Sequence, residues 1–211
     1  YYVRNAADIE AIQQAAPNAK HAVMIGGGYI GLETAASLSK QGINVSLLET
    51  SPRILQRVTA EQLSDFYVRI HQAQGVRIYN NITIQHIMGH TQVEGILCGD
   101  GMALAADMVI VGVGVHPNIE LAQTAGIEVD NGIVIDQNCL TNDPDIVAAG
   151  DCTRYFCPHY QRQIRLESVP NANEQAKVAA ATLCGKPRAY EALPWFWSDQ
   201  YDVKLQIVGL N

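Results

Sequence analysis

The stretch that decides the fold lies near the beginning of the sequence, at residues 21–31, which read HAVMIGGGYIG. A short apolar run leads into a Gly-x-Gly-x-x-Gly series, and helical periodicity follows it as far as Gly42. A run that is apolar on both faces is typical of a buried parallel strand. Because glycine commonly ends a helix, Gly42 predicts the end of this one. We therefore expect a strand over residues 21–25, then a glycine-rich turn, and then a helix over residues 29–40.

Each glycine of this series meets a different structural requirement of a dinucleotide-binding turn. Gly26 permits the tight turn, Gly28 lets a pyrophosphate approach the backbone, and Gly31 lets the helix lie close to the strand. The helix N-terminus offers N–H groups and the positive end of a dipole to phosphate. Glu49 ends the next predicted strand, where a carboxylate binds a ribose 2′-hydroxyl and repels a 2′-phosphate. The pattern predicts an NADH site, and a glycine-rich turn beside a surface glutamate is the alternative.

Two side chains near the glycines leave alternatives open. Arg53 lies close to Glu49 in sequence and could partly offset its charge, which would relax the preference against NADPH. Glu33 lies two residues past Gly31. It could reach the nicotinamide side of the site, or it could be a glutamate that the helix dipole stabilises.

Strands and helices alternate between residues 20 and 80. The Thr59-x-x-Gln62 series is a capping box, and it predicts a helix that runs to Gln74. The apolar residues expected on its inward face are Leu63, Phe66, Ile70 and Ala73. Residues 76–79 are a third short apolar run. This alternation predicts an α/β fold with a parallel, Rossmann-type sheet and right-handed crossovers.

After Asn80 the pattern changes to short strands separated by Gly, His and Asp. Such spacing predicts a β-meander, with strands at 82–88, 93–98 and 102–105. Met108–Val111 returns to the pattern of a buried strand. The later elements that we expect are a helix at 119–125, strands at 133–136 and 146–149, and a helix at 171–183.

Composition restricts the function classes. The 211 residues contain 14 Lys plus Arg and 21 Asp plus Glu, for a net charge of −7. No basic stripe is visible, which argues against a nucleic-acid partner. The apolar runs are shorter than the roughly 18 residues that cross a bilayer, so no membrane association is expected. Five cysteines without a CxxC motif, and no signal peptide, favour a cytoplasmic location.

Three smaller features remain ambiguous from sequence. Cys152 and Cys157 have the spacing of some flavin-linked redox disulfides, but incidental loop thiols are the alternative, since a redox pair needs an acidified thiolate. Asp151, after Gly150, could bind sugar hydroxyls or belong to a turn. The aromatic segment that begins at Trp195 could form core, an interface or a stacking wall. The histidines show no metal-ligand spacing.

Residues 23–33, VMIGGGYIGLE, resemble the NAD fingerprint of FAD-dependent pyridine nucleotide reductases. Other segments narrow the resemblance to the FAD-dependent NADH:ferredoxin reductases, which serve cytochrome P450s and aromatic-ring dioxygenases. These segments are 52–59, 112–118, 149–152, 165–172 and 194–201, the last of which reads PWFWSDQY. The resemblance covers essentially the whole chain.

The resemblance implies an arrangement in three parts. Residues 4–115 would form the NAD(H)-binding domain, 116–186 the C-terminal half of an FAD-binding domain, and 187–211 the start of a C-terminal domain. The family's separate FAD glycine motif is absent, so the chain resembles a central fragment. The implied activity passes a hydride from NADH to FAD and then single electrons to a [2Fe–2S] ferredoxin. Another acceptor (oxygen, nitrite or a disulfide) or a module that only binds NADH are the alternatives.

The resemblance also implies roles for individual residues. Gly150 and Asp151 would bind the ribityl and pyrophosphate region of FAD, and Val169 would contact the flavin through its backbone. Arg4 would contact FAD, and Trp195 or Trp197 would lie near the flavin ring. Glu33 would meet the nicotinamide amide. The remaining residues expected at the cofactors are Gly26, Gly27, Gly28, Tyr29, Ile30, Gly31, Glu49, Arg53, Gly112, Val113 and Gly114.

Overall fold

The computed structural model describes residues 1–210, which form a mixed α/β fold with two compact units. The first unit contains Tyr1–Gly114 and Ser198–Leu205, and the second contains Val115–Trp197 and Gln206–Leu210. The helices are Ala6–Ala15 (α1), Tyr29–Lys40 (α2), Glu61–Ala73 (α3), Glu120–Thr124 (α4) and Val169–Leu183 (α5), with a 3₁₀ turn at Ala16–Asn18. The strands are His21–Ile25 (β1), Asn44–Leu48 (β2), Arg77–Tyr79 (β3), Ile84–Met88 (β4), Gly95–Cys98 (β5), Ala103–Ala105 (β6), Met108–Val111 (β7), Ile133–Ile135 (β8), Thr153–Cys157 (β9), Arg162–Ile164 (β10), Trp195–Gln200 (β11) and Val203–Val208 (β12). Within residues 1–210, no helix is long and apolar enough to cross a bilayer.

The first unit is built on a four-stranded sheet in the order β3-β2-β1-β7, and all of its strand pairs are parallel. This confirms the predicted parallel sheet. β1 has β2 on one side and β7 on the other, so the strand order reverses there. In open α/β sheets such a switch point, at the carboxyl ends of the strands, is where ligands bind.

Alternate residues of the parallel strands face two different layers. Met24 of β1 lies in a core cluster with Leu32 and Ala35 of α2. Its neighbour Val23 lies in a second cluster with Ile96 of β5. The strands β4, β5 and β6 form the antiparallel meander that the sequence predicted. Helices therefore cover one face of the parallel sheet and the meander covers the other.

Helix α3 differs from its prediction at its start and in its buried face. It begins at Glu61 after the N-cap Ala60, without a side-chain cap. The capping-box prediction is wrong because the Thr59 hydroxyl is buried and donates to the Leu55 carbonyl. The residues that α3 buries are Ser64, Tyr67 and His71, whereas Phe66, expected to face inward, is 40% exposed.

The second unit contains a three-stranded sheet in which β9 pairs with β8 in parallel and with β10 in antiparallel. The predicted strand at 146–149 is wrong, because within the described residues this segment forms only a single bridge, between Val147 and Leu140. The strands β9 and β10 were not predicted. Helix α5 begins at Val169, two residues earlier than expected, because the Ser168 hydroxyl caps it.

Candidate functional site

Two glycines hold the turn between β1 and α2 in close contact with its surroundings. Gly26 has a φ of +105°, and a Cβ there would overlap the carbonyl oxygen of Gly112, just after β7. A Cβ on Gly31 would overlap the carbonyl oxygen of Gly26. Only glycine allows both approaches. The ends of β1 and β7 and the first turn of α2 are therefore brought together at the switch point of the sheet.

The N-terminus of α2 is open beside this turn. Gly28 is the N-cap residue, with extended backbone (φ −80°, ψ −178°), and no side chain caps the helix. Within residues 1–210, and apart from the residues adjacent to it in the chain, no residue has an atom within 4 Å of the position that a Cβ on Gly28 would take. Tyr29 is half-buried, and the next residue, Ile30, is exposed. The first-turn N–H groups and the space above Gly28 therefore suit an anionic ligand.

Glu49 lies directly after β2, and its carboxylate joins two loops. Oε2 accepts a hydrogen bond of 2.7 Å from the Gly27 N–H, and Oε1 accepts one of 2.7 Å from the Ser51 N–H. Partial burial opposes ionisation of Glu49, but these two bonds outweigh it and hold the pKa below its usual value. The carboxylate is therefore ionised at neutral pH and fixed against the glycine turn.

The neighbouring arginine is directed toward α3. Nη1 of Arg53 donates to the Ser64 hydroxyl at 2.6 Å, and Nη2 donates to the Gln56 carbonyl at 3.2 Å. The Ser64 hydroxyl in turn donates to the Ile54 carbonyl at 2.7 Å. These contacts hold the guanidinium to the loop that follows β2.

The segment after β7 completes this edge of the sheet. The Gly112 N–H donates to the Ile25 carbonyl at 2.8 Å, which continues the parallel ladder. Val113 is 68% exposed, and Gly114 has a φ of +113°. Arg4 lies elsewhere in sequence, on the exposed segment before α1, where its N–H donates to the Asp8 carboxylate at 3.0 Å.

In the second unit, the predicted Gly-Asp pair lies in a rigid turn. Gly150 is buried with a φ of +91°, and its N–H donates to Oε1 of Gln175 at 2.7 Å. The side chain of Asp151 is exposed, and its main-chain carbonyl accepts a hydrogen bond of 3.3 Å from Arg165. A Cβ on Gly150 would lie 3.6 Å from Cβ of Ala172, in the first turns of α5. The turn therefore presents the Asp151 carboxylate to solvent.

The two tryptophans lie beside the start of α5. Trp195 and Trp197 are both partly exposed, and their ring centroids are 5.7 Å apart. Together with Val169, Pro170 and Lys177 they line a surface hollow of about 300 Å³. This exposure argues against a core position for the two rings, and an interface and a stacking wall stay as the predicted alternatives.

The cysteines do not have the environment of a redox pair. Cys152 and Cys157 are both free thiols, and Cys157 is buried in the core of the second unit. Burial raises the pKa of Cys152 above its usual value, which is the opposite of an acidified thiolate. The geometry agrees with incidental thiols.

Sequence reasoning missed a buried group that contacts Glu33. The Ser198 hydroxyl donates to Oε1 of Glu33 at 2.5 Å. Ser198 and the next inward residue of β11, Gln200, are both fully buried. Because 165 residues separate Ser198 from Glu33, no local spacing could have predicted this contact.

Comparison with known proteins gives consistent matches over the whole chain. Residues 1–176 match a family described as pyridine nucleotide-disulphide oxidoreductase, and residues 195–211 match one described as reductase C-terminal. Putidaredoxin reductase CamA of Pseudomonas putida is 48% identical over 213 residues, which cover 100% of this chain and 50% of that protein.

Solved structures agree with these matches. The ferredoxin reductase for the CYP199A2 system from Rhodopseudomonas palustris has a TM-score of 0.96 at 42% identity, covering 99% of this chain and 52% of that chain. The covalent putidaredoxin reductase–putidaredoxin complex has a TM-score of 0.95 at 48% identity, covering 99% and 51% respectively. The chain therefore spans about half the length of the curated relatives that it matches.

Proposed function

Because the chain belongs to the pyridine nucleotide-disulphide oxidoreductase family, we propose that its first unit binds NADH. The observation that carries this proposal is the convergence of three loops at the carboxyl edge of the parallel sheet. They supply the open helix N-terminus at Gly28, the carboxylate of Glu49 and the close backbone of Gly112. These are the parts that a dinucleotide needs at a switch point.

Different residues would bind the pyrophosphate and the ribose of the dinucleotide. The N–H groups at the start of α2 would receive the pyrophosphate, because Gly28 leaves room for it. Each oxygen of Glu49 already accepts one backbone N–H, and its remaining lone pairs can accept ribose hydroxyls. The contacts of Arg53 with Ser64 and Gln56 draw its charge away from a 2′-phosphate, which supports NADH over NADPH.

For the intact protein we propose FAD-dependent NADH:ferredoxin reductase activity with a [2Fe–2S] ferredoxin as acceptor. The names of the relatives support this, since they are a putidaredoxin reductase and a ferredoxin reductase of a CYP system. When bound, FAD supplies the conversion from a hydride pair to single electrons, because nicotinamide gives two electrons and the cluster takes one. A cytoplasmic location is part of the proposal, since all five cysteines are free thiols.

We propose that the second unit binds part of the flavin cofactor. The turn at Gly150 holds the Asp151 carboxylate in solvent beside the first turns of α5, where a hydroxylated chain can be bound. The hollow lined by Val169, Trp195 and Trp197 can receive one face of an aromatic ring system. These residues would bind and orient the cofactor. The division into domains at 4–115, 116–186 and 187–211 also remains a proposal.

Replacing Asp151 with alanine is expected to lower the flavin content of the intact protein severalfold. The substitution removes the carboxylate but keeps the main-chain carbonyl that Arg165 contacts, so the turn should persist. The flavin-to-protein absorbance ratio measures the effect. Asp145→Ala is the matched control, since Asp145 is also exposed and lies in the same part of the chain. Full flavin occupancy in Asp151→Ala would remove this residue from the site.

Calorimetric titration with NADH and, separately, with NADPH tests the proposed function of the first unit. Saturable binding with a preference for NADH is expected, and a folded protein that binds neither would contradict the proposal. Steady-state reduction of a [2Fe–2S] ferredoxin, compared with that of oxygen, tests the activity of the intact protein. Turnover with oxygen, nitrite or a disulfide but not with ferredoxin would replace the proposed acceptor.

A further inference from the structure

A continuous series of hydrogen-bonded polar side chains links β11 with helices α2 and α3 inside the first unit. It begins at Glu33 and passes through Ser198 and Gln200 to His71. Nε2 of Gln200 is 3.0 Å from the Ser198 hydroxyl, and Oε1 of Gln200 is 2.9 Å from Nε2 of His71. The hydroxyl of Tyr201 lies 3.4 Å from Nδ1 of His71. Ser198, Gln200 and His71 have no solvent exposure.

The chemistry of its members determines the direction of every bond in this chain. The carboxylate of Glu33 can only accept, so the Ser198 hydroxyl must donate to it. That hydroxyl then accepts from the amide nitrogen of Gln200, which directs the amide oxygen toward His71. Nε2 of His71 must therefore carry a proton, and Nδ1 can accept from Tyr201. Burial lowers the pKa of His71, so the ring is neutral and suits this tautomer.

All four donors are therefore directed toward the carboxylate of Glu33. Aligned hydrogen bonds of this kind polarise one another, which strengthens the bond that the Ser198 hydroxyl donates to Glu33. Glu33 itself is half-buried in the second turn of α2, about 6 Å along the helix axis beyond Tyr29. Within residues 1–210 its other oxygen, Oε2, accepts no hydrogen bond. One oxygen of the Glu33 carboxylate is therefore held by the hydrogen-bonded side chains, and the other can accept a hydrogen bond from a ligand.

We propose that Ser198 is a positioning residue, which with Gln200 and His71 holds the Glu33 carboxylate in the orientation that receives the amide of a bound nicotinamide. The inference rests on the proposed NADH site, and it adds the role of residues from the β11 segment. A carboxylate that is fixed in advance loses less entropy when the ligand binds than one that rotates freely. The contribution should therefore appear only for ligands that carry the carboxamide.

The test is calorimetric titration of the intact protein with NAD⁺ and with ADP-ribose, which lacks the nicotinamide. Ser198→Ala should raise the Kd for NAD⁺ about fivefold, which corresponds to about 1 kcal/mol, the net contribution of a typical intramolecular hydrogen bond. The Kd for ADP-ribose should not change. Ser198→Thr keeps the hydroxyl and should restore most of the affinity for NAD⁺. Gln200→Met breaks the chain one bond further away and provides the same comparison if Ser198→Ala does not fold.

Ser37→Ala is the control, because Ser37 lies on α2, the helix that carries Glu33, and its side chain is exposed. It should leave both dissociation constants unchanged. The positioning role is overturned if Ser198→Ala leaves the Kd for NAD⁺ unchanged, or if it weakens NAD⁺ and ADP-ribose equally. Failure of the wild-type protein to bind ADP-ribose is a different result, since it would overturn the proposed function of the unit itself.

Discussion

Replacing Gly31 with alanine is expected to abolish measurable NADH binding and to lower the free energy of unfolding by about 2–3 kcal/mol. A Cβ at this position would overlap the carbonyl oxygen of Gly26, and it would lie 3.4 Å from Cε of Met24. Because the first obstacle is backbone, no side-chain rotation can relieve it. Helix α2 would have to move away from β1, and its N-terminus would lose its position over the glycine turn. Thermal unfolding and calorimetric titration with NADH measure the two effects.

Gly28→Ala is the matched control, and it should separate binding from folding. The backbone at Gly28 is extended with a φ of −80°, and the space around it is open, so alanine should fit without strain. The melting temperature should therefore stay close to that of the wild type. The added methyl group would occupy the space that the pyrophosphate needs, so the affinity for NADH should fall about tenfold or more. Wild-type affinity in Gly31→Ala, or equal destabilisation by both variants, would contradict this division of roles.

The part of the fold that the sequence predicted best is the part that neighbouring residues determine. β1 and α2 have the predicted bounds, and Gly42, with a φ of +82°, lies where the helix was expected to end. The glycine turn, and the position of Glu49 at the end of β2, could be predicted from the sequence for the same reason. A strand, a turn, a helix and a second strand that occur in direct succession come together through one parallel crossover.

Helix α3 shows why periodicity alone failed elsewhere. Its apolar residues do form a stripe, yet the helix buries Ser64 and His71, which are polar. Both have distant partners, since Ser64 contacts Arg53 and the Ile54 carbonyl, and His71 contacts Gln200. A buried polar side chain with its hydrogen bonds satisfied is compatible with a core, but nothing in the local sequence indicates which partner it will have.

The second unit was harder to predict because its strands are short and their patterns are irregular. β9 buries Thr153, Tyr155 and Cys157 but exposes Phe156, so its inward and outward residues do not alternate in polarity. The apolar segment 146–149 is held by loop contacts instead, since the Ala148 N–H donates to the Cys139 carbonyl. The contact of Ser198 with Glu33 could not be predicted either, because the two residues are 165 positions apart in the sequence.

Replacing Glu49 with alanine is expected to raise the Kd for NADH at least tenfold and to narrow the preference for NADH over NADPH. The variant loses the acceptor for ribose hydroxyls and the negative charge that repels a 2′-phosphate. It also leaves the N–H groups of Gly27 and Ser51 without their acceptor, which should destabilise the fold by about 1–3 kcal/mol. Titration with both dinucleotides and thermal unfolding measure these effects.

The stability effect of this substitution should depend on pH in a defined direction. The pKa of Glu49 in the folded protein is lowered from its usual 4.5, so the carboxylate contributes its full stability above pH 4.5. That contribution is lost as the pH falls through the folded-state pKa. The difference in melting temperature between wild type and Glu49→Ala should therefore be largest at pH 7 and decrease below pH 4.5.

Comparing the binding of NADH with that of NADPH separates the two roles that the Glu49 carboxylate could have in this loop. If Glu49 both holds the Gly27 turn and accepts hydrogen bonds from the ribose hydroxyls, Glu49→Ala should weaken the binding of NADH more than that of NADPH. An equal loss for both dinucleotides would mean that Glu49 only holds the turn, and that the preference originates elsewhere. Glu49→Gln is the matched variant, because it keeps one oxygen acceptor and removes the charge. It should therefore restore part of the stability while leaving the preference against NADPH narrowed, since repulsion of a 2′-phosphate depends on charge.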